Sequence, residues 1–138
     1  MIGKKVVLRM RMGAADAHYA GDLVNGSHIL DVFGDVGTEL CIRQDGDESL
    51  FVGYEKVEFT APVYAGDFVE YSGWIEKRGN TSRTCHFEAY KYIELTRDPK
   101  DAISAARVLK EPVLVGRAIG TLVVKKEFQR GVEDPDFE

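Results

Sequence analysis

Residues 25–43, NGSHILDVFGDVGTELCIR, decide the fold. Ile29, Phe33, Val36 and Leu40 recur at helical spacing, which gives this stretch one apolar face. Gly34 and Gly37 interrupt it, and each costs roughly 1 kcal/mol relative to Ala in a helix interior. A helix that tolerates both is expected to be packed too closely for side chains, as it would be inside a curved sheet. His28, Asp31, Asp35 and Glu39 form a polar stripe, ordinarily a solvated face. A sheet wrapped around the helix leaves little of that stripe in water, and Asp35 and Glu39 then become candidates for chemistry.

The flanking sequence supplies such a sheet. Residues 4–12 read as a strand, as do 50–60 and 68–77. Pro62 and Gly66 turn the chain between the latter two, Asp45-Gly46 marks the turn after the helix, and Gly79-Asn80 marks a hairpin. In the next strand Cys85, Phe87, Ala89, Ile93 and Leu95 share one face. His86, Glu88, Tyr90, Tyr92 and Glu94 share the other, and Lys91 is the misfit on the apolar side. Asp98 as N-cap and Pro99 at the first helical position predict a short surface helix over 96–112, ended by Pro112. Residues 113–126 read as a strand apolar on both faces and therefore interior. The expected fold is α+β, with five antiparallel strands curved around one long central helix. One domain spans 1–131, and the acidic segment 132–138 is expected to be a flexible tail. An open sheet has edges to cover, so a homodimer or a dimer-based homo-oligomer is expected.

Composition narrows the function. The 138 residues are 44% hydrophobic and 30% charged, with a net charge of −5, the balance of a globular protein. That acidity excludes a general nucleic-acid surface. Cys41 and Cys85 are isolated, and no signal or membrane-spanning run is present, so the expected setting is the cytoplasm. The three histidines have no metal-ligand spacing, and no phosphate loop or dinucleotide fingerprint occurs.

In front of the helix lies AADAHYAGDLVNG, residues 14–26. A helix N-terminus presents unpaired N–H groups and partial positive charge, and Gly26 lets a ligand oxygen approach them. Asp16 and His18, a few residues upstream, could reach the same ligand. A carboxylate beside an oxyanion site permits proton abstraction next to a carbonyl, or attack upon it. The plainer expectation is that Asp22 or Asn25 merely caps the helix.

This loop resembles the Asp-x-Asn-x-x-Gly-Asp-x-x-Gly-Gly loop of hotdog-fold acyl-CoA thioesterases, through Asp16, Gly21, Asp22 and Gly26. Phe59, Pro62, Val63, Gly66 and Asp67 match their F-x-x-P-V-x-x-GD turn. His18 stands where those enzymes have Asn, and Asn25 replaces the first Gly of their pair. The runs GKKVV, DAHYAGDLVNG, GDVGTEL, EFTAPVYAGDF, GWIEK and QRG, spread from Gly3 to Gly131, resemble the β-alanyl-CoA and 3-aminobutyryl-CoA ammonia-lyases.

What the resemblance implies is a hotdog fold and reversible elimination of ammonia from a short β-aminoacyl-CoA in amino-acid fermentation. The alternative is a short-chain acyl-CoA thioesterase. No cofactor is implied, since CoA enters with the substrate. Asp16 is then the expected base with His18 second, and Gly26 the oxyanion donor. Asp35 or Glu39, across a dimer interface, would hold the substrate ammonium. Tyr19, Tyr54 and Glu55 would line the acyl pocket, and Arg117 aligns with a basic position expected to meet the CoA phosphates.

Overall fold

The computed structural model describes residues 1–137. In chain order it contains β1 (Ile2–Arg11), a small ribbon of β2 (Ala17–Tyr19) and β3 (Leu23–Val24), α1 (Gly26–Asp45), β4 (Leu50–Phe59), β5 (Phe68–Arg78), β6 (Ser82–Leu95) and β7 (Ala106–Val123). Five strands form one antiparallel sheet in the order β1-β5-β6-β7-β4. The helix touches all five, so the sheet wraps it as the spacing of residues 25–43 predicts.

The core lies between them. Ile29, Val32, Phe33, Val36 and Leu40 of α1 are buried against Val69, Tyr71 and Ile75 of β5, Phe87 of β6 and Leu122 of β7. Phe33 stacks on Phe87 with centroids 5.2 Å apart and meets Tyr71 edge-on at 6.1 Å. Gly37 answers the crowding expected of it: a Cβ there would lie 3.0 Å from Leu122 and 3.3 Å from Phe87. Gly34 does not, for a Cβ there would meet nothing within 4 Å. It borders a groove formed with Asp31, Phe51, Val52 and Tyr54. The second tight position is Gly73 of β5, where a Cβ would lie 2.7 Å from Val36.

Two other expectations are corrected. Residues 96–105 form turns rather than a helix: the Asp98 carboxylate accepts the Lys100 N–H at 2.9 Å, an Asx turn, and β7 begins at Ala106. Pro112 does not end a helix but lies within β7, in a bulge between the pairs Val108↔Ile93 and Val113↔Lys91. A residue without an N–H fits where the ladder is interrupted. The segment 132–137, expected to be a flexible tail, is docked. Phe137 is fully buried over Gly3, and Asp134 pairs with Arg43. One aromatic anchor outweighs the acidic composition around it; Glu138 lies outside the described residues. Among the described residues no helix is long and apolar enough to cross a membrane.

Candidate active site

The loop between β1 and α1 is built from both ends. Met12 leaves the sheet with its N–H bonded to Asp67 O at 2.8 Å and its carbonyl accepting the Gly66 N–H at 2.7 Å. A single 3₁₀ turn follows, in which the Gly13 N–H donates to Asp16 Oδ2 at 2.8 Å. The Asp16 carboxylate is thus fixed by its own turn. Gly21 (φ +74°) and Asp22 (φ +62°) reverse the chain between β2 and β3 in the left-handed region, and the Val24 N–H bonds Val63 O at 2.8 Å.

The helix then starts without a side-chain cap. Asn25 occupies the N-cap position, but its amide bonds the Ser27 hydroxyl instead of the backbone. The Asp22 carbonyl accepts the Ala65 N–H at 2.9 Å. The expectation that Asp22 and Asn25 cap α1 with their side chains is therefore corrected for Asn25, while at Asp22 the fold engages the backbone. By the geometry of any α-helix the Gly26 and Ser27 N–H groups have no intrahelical acceptor, and the first turn holds no acidic residue.

His28 brings a further group to this end. Its Nε2 is buried without a hydrogen-bond partner and lies 3.7 Å from Asp16 Oδ1, the carboxylate oxygen that Gly13 leaves free. The His28 and Asp16 side chains are 21% and 31% exposed, open enough to meet a ligand and shielded enough for charge to matter. Behind Asp16, burial raises the Tyr71 phenol and the Asp16 charge adds to it, so Tyr71 stays neutral. Beside the helix start lies a cleft of about 340 Å³ lined by Val24, Gly26, Ile29, Phe59, Pro62 and Val63. The Phe59 ring rests on Gly26, where a Cβ would lie 2.6 Å from it. Unpaired donors, a fixed carboxylate, an imidazole and an apolar cleft suit proton transfer beside a polarised carbonyl.

The other candidates lie outside this grouping of side chains. His18 and Tyr19 sit exposed on the ribbon, edge to face at 5.0 Å, within the Asp16 loop. Asp35 is exposed, two turns along α1 and ~10 Å of helix rise beyond His28. Glu39 is farther still and bonds Arg43 at 3.0 Å. The Tyr54 hydroxyl donates to Leu30 O at 3.3 Å, and burial followed by the Asp31 charge pushes its phenol up to about 12. Glu55 is exposed on β4. Arg117 alternates with the helix-facing Gly116 and so projects from the opposite face of the sheet, where it pairs with Glu58 at 3.0 Å. A single chain thus assembles Asp16, Gly26 and His28, with His18 and Tyr19 on the same loop. Sequence reasoning placed His28 in a solvated stripe; the overlooked signal was its place two residues beyond Gly26, in the first turn and facing the loop.

No family model matches the chain. The 3-aminobutyryl-CoA ammonia lyase of Acetoanaerobium sticklandii is 55% identical over 126 residues, covering 91% of this chain and 98% of that protein. The structure of β-alanyl-CoA:ammonia lyase from Clostridium propionicum superposes with a TM-score of 0.95 at 53% identity, over 99% of this chain and 96% of the other. A hexameric hotdog-fold thioesterase of Campylobacter jejuni matches with a TM-score of 0.71 at 19% identity, over 92% and 89% of the two chains, a likeness of fold alone.

Proposed function

Because this chain belongs to the acyl-CoA ammonia-lyases of the hotdog fold, we propose that Asp16 and the open N-terminus of α1 eliminate ammonia from a short β-aminoacyl-CoA. The observation that carries the reading is the Asp16 carboxylate facing the unpartnered His28 Nε2 at an uncapped helix start. It occurs in a chain with 53–55% identity to two lyases of this kind.

The substrate carries an ammonium at its β-carbon at neutral pH. Asp16 takes the α-proton, and the electrons of that C–H bond form the α,β double bond. The C–N bond breaks with its pair on nitrogen, releasing ammonia and the enoyl-CoA. The Gly26 and Ser27 N–H groups receive the thioester oxygen as enolate charge develops on it. Proton transfer from Asp16 to ammonia restores the carboxylate and yields ammonium. His28, beside the free oxygen of Asp16, steadies the carboxylate and relays this proton. The cleft at the helix start takes the short acyl chain.

The substrate ammonium calls for a second carboxylate. Glu39 is engaged with Arg43, whereas Asp35 is exposed, so Asp35 of a second copy is the better candidate in a homodimer or dimer-based oligomer. Arg117 gives Nε and Nη2 to Glu58 and would meet a CoA phosphate through Nη1. A reversible enzyme of this kind serves amino-acid fermentation. The test is ultraviolet absorbance of the conjugated enoyl thioester when the protein meets 3-aminobutyryl-CoA or β-alanyl-CoA, with Asp16→Asn as control. Release of free CoA thiol without enoyl formation would overturn the reading in favour of a thioesterase.

A further inference from the structure

We infer that Lys91 is a positioning residue for this site, holding the Asp16 loop in place through the 61–67 turn. On the helix-facing side of β6, Cys85, Phe87 and Ala89 are fully buried or nearly so, and Lys91 continues their row. An ammonium in that row is costly unless each proton is received. Here Nζ donates to the Pro62 carbonyl at 3.2 Å and pairs with Asp67 Oδ2 and Glu94 Oε1, each at 3.2 Å, so three acceptors surround one ammonium. The Lys91 and Asp67 side chains are 7% and 1% exposed. Two of the three acceptors, Pro62 and Asp67, stand at the two ends of one short turn. The same Asp67 oxygen closes that turn by accepting the Tyr64 N–H at 2.8 Å.

That turn in turn holds the loop. Asp67 and Gly66 bond the Met12 backbone on its entering side, while Ala65 bonds the Asp22 carbonyl and Val63 receives the Val24 N–H on its leaving side. Asp16 stands between these anchors, so its loop is pinned at both ends by the segment that Lys91 secures. From outside, the Arg97 guanidinium lies 4.1 Å over the Tyr64 ring and donates to Gly21 O at 3.0 Å, closing a second clamp. Without the ammonium, the buried Asp67 carboxylate would keep only the Tyr64 N–H and no counter-charge, the Pro62 carbonyl would lose its side-chain donor, and the turn could meet them with water only by moving. The apolar misfit of the sequence is therefore the support behind the loop.

The inference rests on the lyase reading for its activity readout and on hydrogen exchange for an independent one. In Lys91→Met, kcat for enoyl formation is expected to fall about 100-fold, the scale of a 1 Å misplacement, with KM within about threefold. Lys91→Arg should recover part of the loss. Amide exchange should accelerate at Met12, Val24, Ala65 and Gly66, while the C-terminal turns of α1 keep their protection. Wild-type kcat in folded Lys91→Met, or protection lost evenly across the sheet, would overturn the inference. If Lys91→Met does not fold, Arg97→Ala, at an exposed residue, replaces it. A smaller drop in kcat with faster exchange over residues 13–24 supports the inference, and no change in either overturns it. The exchange result holds even if the wild-type protein proves inactive as a lyase.

Discussion

The two ends of α1 are finished in opposite ways. At the C-terminal end Gly46, left-handed at φ +70°, donates to Ile42 O at 2.8 Å. The Arg130 N–H reaches Asp45 O at 2.8 Å, and the Glu133 N–H reaches Arg43 O at 3.0 Å. The Asp45 carboxylate, unfavourable beside a helix C-terminus, is held by Nε and Nη2 of buried Arg83 at 2.8 and 2.9 Å. At the N-terminal end no side chain caps the backbone, no acid sits in the first turn, and His28 Nε2 lacks a partner. One helix thus separates two tasks. Its closed end commits its last carbonyls and the Asp45 carboxylate to the fold, and its open end keeps its first N–H groups for a ligand.

Breaking the closed end should have the largest effect. Arg83→Met leaves Asp45 a buried, unpaired charge and should destabilise the protein by about 3–5 kcal/mol in urea denaturation, with kcat per folded molecule unchanged. Asp16→Asn acts on the other end alone: it keeps an acceptor for the Gly13 N–H and should lower kcat by at least about 100-fold, with the urea midpoint nearly unmoved. Asn25→Asp would make the open end resemble the closed one, by giving the N-cap an acid that competes for the N–H groups of the first turn. A gain of about 0.5–1 kcal/mol in stability together with a roughly tenfold loss of kcat is expected. No change in activity would show that those donors are not used.

Acid sharpens the contrast further. The Asp136 N–H and then Arg43 hold the Asp134 carboxyl below its ordinary 3.8. A lowered folded pKa contributes stability that is complete above the ordinary value and lost as pH falls through the lowered one. The tail amides should therefore lose exchange protection below about pH 4, with those at the helix start unaffected by this group. The smallest expected effect is on thiol chemistry. Burial pushes Cys41 up to about 11 and raises Cys85 further, so neither should react with a disulfide reagent in the native protein. Any thiol detected in the assay then comes from CoA.

Much of the closed architecture was legible because its signals are local. Ile29, Phe33, Val36 and Leu40 announce α1, Gly79-Asn80 announces the β5–β6 turn, and alternation from Cys85 to Ala89 announces β6. What misled was a local signal open to two outcomes. Asp98-Pro99 serves an Asx turn as well as a helix start, and pairing of Ala106 with Leu95 decides for the strand. Phe137 reads as part of an acidic tail until Gly3 is placed beneath it. At the site, Asp16 and Gly26 stood out through the loop motif, whereas His28 needed the fold to turn it toward Asp16. Lys91 was visible as an exception, but two of its three partners, Pro62 and Asp67, come from a turn some 25 residues earlier in the chain.

The contact between Gly3 and Phe137 also orders events during synthesis. β1 precedes the other four strands in synthesis, yet it lies at the sheet's edge, waits for β5 as its ladder partner, and is covered by an aromatic ring made after all five strands. A nascent chain stalled before that ring would hold its earliest strand with a bare patch above it. Quality control would meet such a product as an unfinished edge, even with the rest of the sheet in place.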